Sequence, residues 1–320
     1  MREEVSIVIP NFNGRKYLEG CLKSLDRQKM KQFEVILVDN GSTDGSSQWA
    51  LAQYPQIKII QFSENTGFCK AVNEGIKAAE TPYVLLLNND MEVKENFVSE
   101  MLAAIKRHKK AFACQAKMVS FYDRSLIDDA GNYYCALGWA FARGKGRLEN
   151  HYQKEEKIFA CCGGASIYRK ELFDRIGYFD EEHFAYLEDL DIGYRARIFG
   201  YQNWFVPRAV VYHIGSGTTG SRYNQFKTRY SSRNNVYMLY KNMPAGQIVL
   251  NLPLLVLGFG TKIMFFTVKG FGKEYLAGIK NGLCLCKRDR KVPRKSGRIS
   301  VYCKIQLELW YNILRKLMNN

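Results

Sequence analysis

Glu34-Val35-Ile36-Leu37-Val38-Asp39-Asn40-Gly41-Ser42-Thr43-Asp44-Gly45 is the stretch on which the fold turns. Val35 to Val38 run without a polar break, as a buried strand does, and the chain then dissolves into Asp, Asn, Gly and Ser, the residues of turns. The same phrase recurs on both sides. Val5-Ser6-Ile7-Val8-Ile9-Pro10 closes on Asn11-Phe12-Asn13-Gly14, Ile57-Lys58-Ile59-Ile60 is followed by Glu64-Asn65-Thr66-Gly67, and Tyr83-Val84-Leu85-Leu86-Leu87 runs into Asn88-Asn89-Asp90. Between these strands the apolar period changes to that of a helix, at Leu18, Leu22 and Leu25 and again at Ala71, Ile76 and Ala79. Alternating strands and helices predict an α/β fold with a mainly parallel sheet and helices on both faces.

In such a sheet, ligands bind at the C-terminal edges of the strands. Those edges carry Asn11, Asp39, Asn65, Asn88 and Asp90. Small polar loops there can offer backbone N–H groups to phosphate, and carboxylates to a base, a ribose or a metal. Turn formation alone explains any one of these loops; four in series point to a ligand. No Gly-x-Gly-x-x-Gly follows the first strand and there is no Walker lysine loop, so neither nicotinamide chemistry nor P-loop ATP hydrolysis is expected.

A second decisive stretch lies further on. Tyr186-Leu187-Glu188-Asp189-Leu190-Asp191 sets three carboxylates within four positions, ahead of a helix-like run and the strand-like Trp204 to Tyr212, with His213 at its end. If a helix starts near Leu187, Glu188 and Asp191 share a face and Asp189 is turned about 100° from Glu188. One carboxylate can then reach into a cleft while the other two brace the helix start, where the dipole favours negative charge. Crowding also raises carboxylate pKa values, which suits a general base near neutral pH.

Together these motifs resemble family 2 glycosyltransferases of the GT-A fold, over roughly residues 5–240. The likeness rests on the opening Val5 to Asn13, the Asp39 to Gly45 loop, Asn65-Thr66-Gly67-Phe68, Asn88-Asn89-Asp90, Gly163-Gly164-Ala165, Glu188-Asp189-x-Asp191 and His213, in that order. Among them it is nearest to bacterial enzymes that build cell-surface polysaccharides, the rhamnosyltransferase-like group especially. The resemblance implies an inverting, metal-dependent transfer of a sugar from a nucleotide sugar to a hydroxyl. Asp189 would be the base. Pro10, Asn11, Asn13, Asp39, Asn65, Gly67, Asn88 and Asn89 would line the donor site. Asp90 and His213 would hold Mg²⁺ or Mn²⁺, and Gly163, Gly164, Glu188 and Asp191 would support the acceptor side. Asn88 departs from the family's Asp-x-Asp motif: it offers a neutral oxygen where a hard cation prefers a charged one. The implied donor is dTDP-rhamnose, with a UDP-hexose or UDP-N-acetylhexosamine as the alternative, and the implied acceptor is a lipid-linked or growing polysaccharide.

Length and charge set the domain plan. The 320 residues suffice for a catalytic domain over 1–240, with a nucleotide-sugar half to about 118 and an acceptor half from 119, followed by a basic, apolar helical region over 241–320. Nothing at Met1-Arg2-Glu3-Glu4 reads as a signal peptide, so nine cysteines are expected to be free thiols on the cytoplasmic side. From Lys262 to Asn320 fourteen Lys and Arg face three acids, +11 of the net +16, which suggests an anionic surface partner. Met243 to Thr261 is 19 residues without a charge, marginal for a span and weakened by Pro244, Asn251, Pro253, Gly258 and Gly260. Phe265, Phe266, Phe271 and Tyr275 beside Lys269 and Lys273 suit a helix lying in a membrane interface, with the basic run from Lys287 through Arg294, Lys295 and Arg298 on anionic lipid and Ile299 to Met318 as a closing amphipathic helix. A peripheral or monotopic enzyme at the inner face of the plasma membrane follows. A soluble helical subdomain is the other reading of this tail. A basic nucleic-acid-binding protein is the rival for the whole chain, although no aromatic platform or reading helix accompanies the charge. The Gly215-Ser216-Gly217-Thr218-Thr219-Gly220 run behind His213 is expected to approach phosphate, and Ser231 to open a helix through Tyr240.

Overall fold

A computed structural model describes residues 3–215, 223–293 and 299–318. Ser216 to Gly220 of the expected phosphate loop, and Arg294, Lys295 and Arg298 of the basic run, lie outside the described residues. The first half alternates as the sequence predicts: β1 (Val5–Asn11), α1 (Arg15–Asp26), β2 (Phe33–Asp39), α2 (Ser46–Gln53), β3 (Lys58–Gln61), α3 (Phe68–Ala78) and β4 (Tyr83–Leu87). Then follow β5 (Met91–Val93), α4 (Phe97–Arg107), β6 (Ala111–Ser120), β7 (Ile127–Asp129), β8 (Asn132–Cys135), β9 (Trp139–Ala142), β10 (Glu156–Ile158), β11 (Ala165–Arg169), α5 (Phe173–Ile176), α6 (Glu188–Ile198) and β12 (Gln202–His213). The chain closes with α7 (Gln225–Asn242), α8 (Ala245–Val268), α9 (Gly272–Cys284) and α10 (Ile299–Met318).

Among the described residues ten strands form one sheet, in the order β10-β12-β6-β11-β4-β1-β2-β3 with β5 on β12 and β7 on β6. β3, β2, β1 and β4 are parallel to one another, and β6 is parallel to β12, whereas β11 runs antiparallel between β4 and β6. Alternation along the strands splits the core in two. Ile7, Ile9 and Leu37 pack with Leu18, Leu22, Ala50, Phe97 and Met101 on one face, and Val8, Ile36 and Val38 pack with Val72, Ile76, Phe173 and Ile192 on the other. Helices therefore cover both faces, as expected.

Register carries the polar ends to one edge. Asn11 pairs with Asp39 across β1 and β2, and His213 pairs with Met91 across β12 and β5, which sets His213 beside Asp90. The stretch 120–160, which has no clear period, folds as the short strands β7 to β10, too brief for a period-2 pattern to be read.

The tail differs from expectation in two places. α7 begins at Gln225, not at Ser231, because the Asn224 side chain accepts the Lys227 N–H at 2.8 Å and caps a turn whose residues show no amphipathic period. α8 runs unbroken through Pro253, Gly258 and Lys262 for 24 residues. Pro253 gives up one backbone bond, and the body holds the rest of the helix in place. Asn251 and Gln306 of α10 exchange amide hydrogen bonds at 2.8 Å, Trp310 Nε1 donates to Asn251 at 3.0 Å, and Trp139 Nε1 donates to Gly258 O at 2.9 Å. The helix is long and apolar enough to cross a membrane by length and composition. Yet these anchors, with Gln247 on Tyr302 and Phe266 on Tyr275, hold one face of it against protein from end to end. Its other face exposes Val249, Leu250, Leu252, Val256, Leu257 and Met264. α9 lies close on α7 because Gly278 and Gly282 leave room: a Cβ at Gly278 would sit 1.8 Å from Ser232 Oγ, and one at Gly282 would sit 2.5 Å from Arg233 O. The nine cysteines are all free thiols.

Candidate active site

One cavity of ≈ 680 Å³ opens at the C-terminal edge of the parallel strands. Pro10, Asn11, Asn65, Gly67, Asn88, Asn89, Asp90, Gly163, Gly164, Glu188 and Asp189 all line it. Residues separated by most of the catalytic region thus meet, and Asp90 and Asp189 open onto the same space. Asn13, Asp39, Asp191 and His213 are not among its lining residues; Asp39 and Asp191 are buried, and Asn13 is exposed.

The strand-end loops are held by one another. Asn89 Nδ2 donates to Asn11 Oδ1 at 2.7 Å, and Asn11 Nδ2 donates to Ser46 Oγ at 2.8 Å and toward Asp39 at 3.3 Å. Asp39 is buried beneath Asn11, with its Oδ2 unpartnered. Asn13 Oδ1 accepts the Thr43 N–H at 2.8 Å and ties the first loop to the second. Asn40 joins the third: its Oδ1 accepts the Thr66 N–H at 2.9 Å and its Nδ2 donates to Gly67 O at 3.1 Å. Gly67 has φ 89° and leaves no room for a side chain, since a Cβ would meet the Phe184 ring at 2.6 Å.

The carboxylate cluster departs from the expected arrangement. Two of its members reach the cavity, not one, because the chain enters α6 through Phe184, Tyr186 and Leu187 at φ of 61°, 74° and 65°. That left-handed approach delivers Glu188 as well as Asp189 to the opening, and only Asp191 faces away. Such conformations cost of order 1–3 kcal/mol each for a side-chain-bearing residue and persist only where neighbours enforce them. Asn234 of α7 is that neighbour: fully buried, its amide lies 2.9 Å from His183 O, 2.9 Å from Ala185 O and 2.7 Å from Tyr186 O. We expect Asn234→Ala to lower stability by about 2 kcal/mol through unpaired buried carbonyls, and, if Asp189 is the base that the family resemblance implies, to cut turnover on the order of 10²-fold by loosening it. Denaturant melts and steady-state kinetics check both numbers; unchanged turnover would mean that the loop holds itself.

Burial raises the Glu188 carboxyl above the ordinary carboxylate range and the Asp189 charge adds to it; its Oε2 has no partner. Burial likewise raises Asp189, with Asp129 contributing, against hydrogen bonds from the Leu190 and Gly163 N–H groups. Asp189 Oδ2 accepts from Asn132 Nδ2 at 3.2 Å. Asp191 goes the other way: burial opposes its charge, but Lys241 and Arg195 hold it far below the usual range.

In the sequence Asp128-Asp129-Ala130-Gly131-Asn132 looks like a turn, yet Asp129 and Asn132 line the cavity and Asp128 reaches it through His213. Gln115 Nε2 donates to Asp129 at 2.8 Å, and burial pushes the Asp129 carboxyl up to about 6. Asp128 Oδ2 sits 2.7 Å from His213 Nδ1, and His213 Nε2 lies 3.5 Å from Asp90 Oδ2. Burial opposes charge on His213, yet the two carboxylates outweigh it and hold its pKa at about 9.

A divalent cation suits these donors. Asp90 Oδ1 and Asn88 Oδ1 are buried at the cavity without partners, and a histidine whose far nitrogen is fixed by a carboxylate is the usual second-sphere arrangement of a ligand. Among the described residues no three His, Cys, Asp or Glu side chains form a metal cage, so most of the coordination would come from a bound diphosphate and water.

Comparison with known proteins gives the family and the fold. The N-acetylglucosaminyl-diphospho-decaprenol L-rhamnosyltransferase of Mycobacterium tuberculosis is 28% identical over 246 residues, covering 69% of this chain and 79% of its own. Glycosyltransferase GlyG of Streptococcus pneumoniae is 31% identical over 137 residues, 42% of this chain and 44% of that one. Staphylococcus aureus TarS 1-349, solved with UDP-GlcNAc, superposes with a TM-score of 0.58 at 18% identity, over 90% of this chain and 82% of that one, and shares the GT-A fold. The sequence profile described as Glycosyl transferase family 2 matches residues 6–177, more than half the chain. From the strand-end loops to the fold that presents them, the chain belongs to glycosyl transferase family 2.

Proposed function

We propose that the protein is an inverting, divalent-cation-dependent hexosyltransferase that moves a sugar, dTDP-rhamnose being the favoured donor, onto a hydroxyl of a lipid-linked saccharide at the inner face of the membrane. The observation that carries the reading is the convergence of Asp90 and Asp189 on one cavity, a cation-type oxygen donor and a base-type carboxylate facing the same space. The donor preference draws support from the mycobacterial relative, named a rhamnosyltransferase acting on a diphospho-decaprenol acceptor. A UDP-hexose or UDP-N-acetylhexosamine is the second reading, because the staphylococcal fold neighbour was solved with UDP-GlcNAc.

In this reading Pro10, Asn11, Asn13 and Asp39 shape the nucleotide pocket, with Asn65, Gly67, Asn88 and Asn89 around the sugar diphosphate. Asp90 and His213 would hold the cation, whose contribution is to offset negative charge on the departing diphosphate. Asp189 takes the proton from the acceptor hydroxyl as that oxygen bonds to the anomeric carbon and the sugar–phosphate bond breaks on the opposite face, so the configuration inverts. Burial favours the protonated form of Glu188, which can donate a hydrogen bond from beside the base. Gly164 lets the strands at the cavity approach: a Cβ there would lie 2.7 Å from Met91 Cε and 3.0 Å from Asn88 Nδ2, whereas at Gly163 a Cβ would make only ordinary contacts with Phe68 and Asp189. Asp191 supports the helix that carries the base.

The membrane is the proposed surface for the exposed apolar face of α8, with the basic tail on anionic lipid. Because α8 is held to the body along its length, it lies in the interface without crossing the bilayer. A domain boundary near 240 then separates catalysis from anchoring, although α7 serves both.

A panel of nucleotide sugars tested by thermal shift with and without Mn²⁺ identifies the donor. We expect one dTDP- or UDP-sugar at a hundred times its Kd to stabilise the fold by about 2.7 kcal/mol, and EDTA to remove most of that gain. Equal shifts from every nucleotide, metal or no metal, would overturn the reading.

A further inference from the structure

Phe226 belongs to two openings at once. It lines the catalytic cavity, and it also forms a wall of an open groove of ≈ 550 Å³ bounded by Tyr223, Asn224, Gln225 and Phe271. On the cavity side its ring centroid lies 4.4 Å from that of Tyr230 and 6.1 Å from that of Tyr186. On the groove side Tyr223 meets Phe265 at 5.7 Å and Phe266 at 6.0 Å, at the C-terminal end of α8. Phe226, at 40% exposed, and Phe265, at 39%, leave a large part of their surface to solvent. Two groups of aromatic rings, one at the sugar-transfer cavity and one at the C-terminal end of α8, thus meet at the groove that Phe226 and Tyr223 both line, and Lys269 and Lys273, both exposed, flank Phe271 at its far wall.

A nucleotide sugar has no use for such a path: it is polyanionic, and the polar strand-end loops already suit it. An acceptor with a long apolar chain has every use for one, because its sugar must reach Asp189 while its tail stays out of water. The lysines at the exit also fit the depth. Cations beside aromatic rings favour the headgroup level of a bilayer, where such a chain would leave the lipid.

We propose that the groove between Phe226 and Phe271 carries the first isoprenoid units of a polyprenyl-diphosphate-linked acceptor from the membrane surface to the catalytic cavity. This rests on the reading of the protein as a transferase acting on a lipid-linked saccharide, takes the class of anchor from the mycobacterial relative's diphospho-decaprenol acceptor, and adds the route. Phe226 is the post between the two compartments, with the sugar on the Tyr186 side and the chain on the Tyr223 side.

The test uses the full chain on vesicles of phosphatidylcholine and phosphatidylglycerol, with a photoreactive benzophenone analogue of farnesyl diphosphate as the probe. Peptide mapping after irradiation is expected to place the label within 223–230 and 265–275. Unlabelled farnesyl diphosphate should compete and inorganic diphosphate should not. The pair Phe226→Ser and Phe271→Ser should weaken labelling on the order of ten-fold, as loss of aromatic anchors does, while Val249→Ser on the outer face of α8 leaves it in place. Label confined to the outer face of α8, or competition by inorganic diphosphate equal to that by farnesyl diphosphate, would overturn the proposal. The map on the unaltered chain decides the matter whether or not the double variant folds. The donor-and-Mn²⁺ thermal shift separates the two levels. A donor shift without groove labelling sinks this inference alone; no donor shift on the unaltered chain sinks the functional reading beneath it.

Discussion

Asp189→Asn is expected to bind nucleotide sugar as the unaltered protein does and to turn over ~10²–10⁴-fold more slowly, the usual worth of a positioned base. The substitution keeps size and shape, and Asn132 Nδ2, 3.2 Å from Asp189 Oδ2, retains an acceptor if the new amide turns its oxygen that way. With its oxygen turned to Asn132, the amide cannot also accept the Leu190 N–H that Asp189 Oδ1 accepts at 2.6 Å, so one hydrogen bond goes along with the ability to take a proton. Calorimetric titration of the donor and single-turnover kinetics measure the two halves separately. Full turnover in Asp189→Asn would remove Asp189 from the mechanism. The pH profile adds a second reading. A base works ionised, and burial raises the Asp189 carboxyl above its ordinary range, so activity should fall on the acid side at a higher pH than a solvated carboxylate would give. The residual activity of Asp189→Asn should lack that limb.

Family membership decides between the transferase and the basic nucleic-acid-binding protein, two readings that composition alone leaves open. What the sequence makes legible is whatever a local pattern dictates. Apolar runs ending in Asn11, Asp39, Asn65 and Asn88 mark four strand ends, because a buried strand and a polar turn are each decided within a few residues. Contacts made by topology are not written locally. Asp128 and His213 are 85 positions apart, and Asn132 and Asp189 57 apart; each pair meets only because the strands that carry them share one sheet or one cavity. Asp128 and Asn132 therefore read as turn residues. Asn234 reads as a polar position on a helix, although it braces the strained entry to α6. The split of the acidic cluster is hidden for the same reason: helical geometry groups Glu188 with Asp191, and the left-handed turn at Leu187 regroups it with Asp189.

That regrouping leaves Asp191 as a structural charge, and its removal should cost much stability. Asp191 is fully buried at the junction of α6 and α7. Its Oδ2 accepts from Arg195 Nε and Lys241 Nζ, both at 2.9 Å, and its Oδ1 accepts from Asn242 Nδ2 at 2.7 Å. Asp191→Asn leaves the Arg195 guanidinium without an opposing charge, while Lys241 keeps Asp180 at 2.7 Å. Breaking a buried pair costs ~3–5 kcal/mol; with Asp180 still in place we expect about 3 kcal/mol, or roughly 4–5 °C in Tm for a chain of 320 residues. The pH dependence separates charge from packing. The folded-state pKa is depressed, so the stabilisation is fully present above the unfolded carboxyl value of about 3.9 and is lost as pH falls below it, at about 1.4 kcal/mol per pH unit. Asn does not titrate, so the gap between the two proteins should be constant from pH 7 to 5 and narrow below 4. A gap that stayed level down to pH 3 would assign the loss to packing and hydrogen-bond geometry, and the charge of Asp191 would no longer be what fastens the catalytic helix to α7.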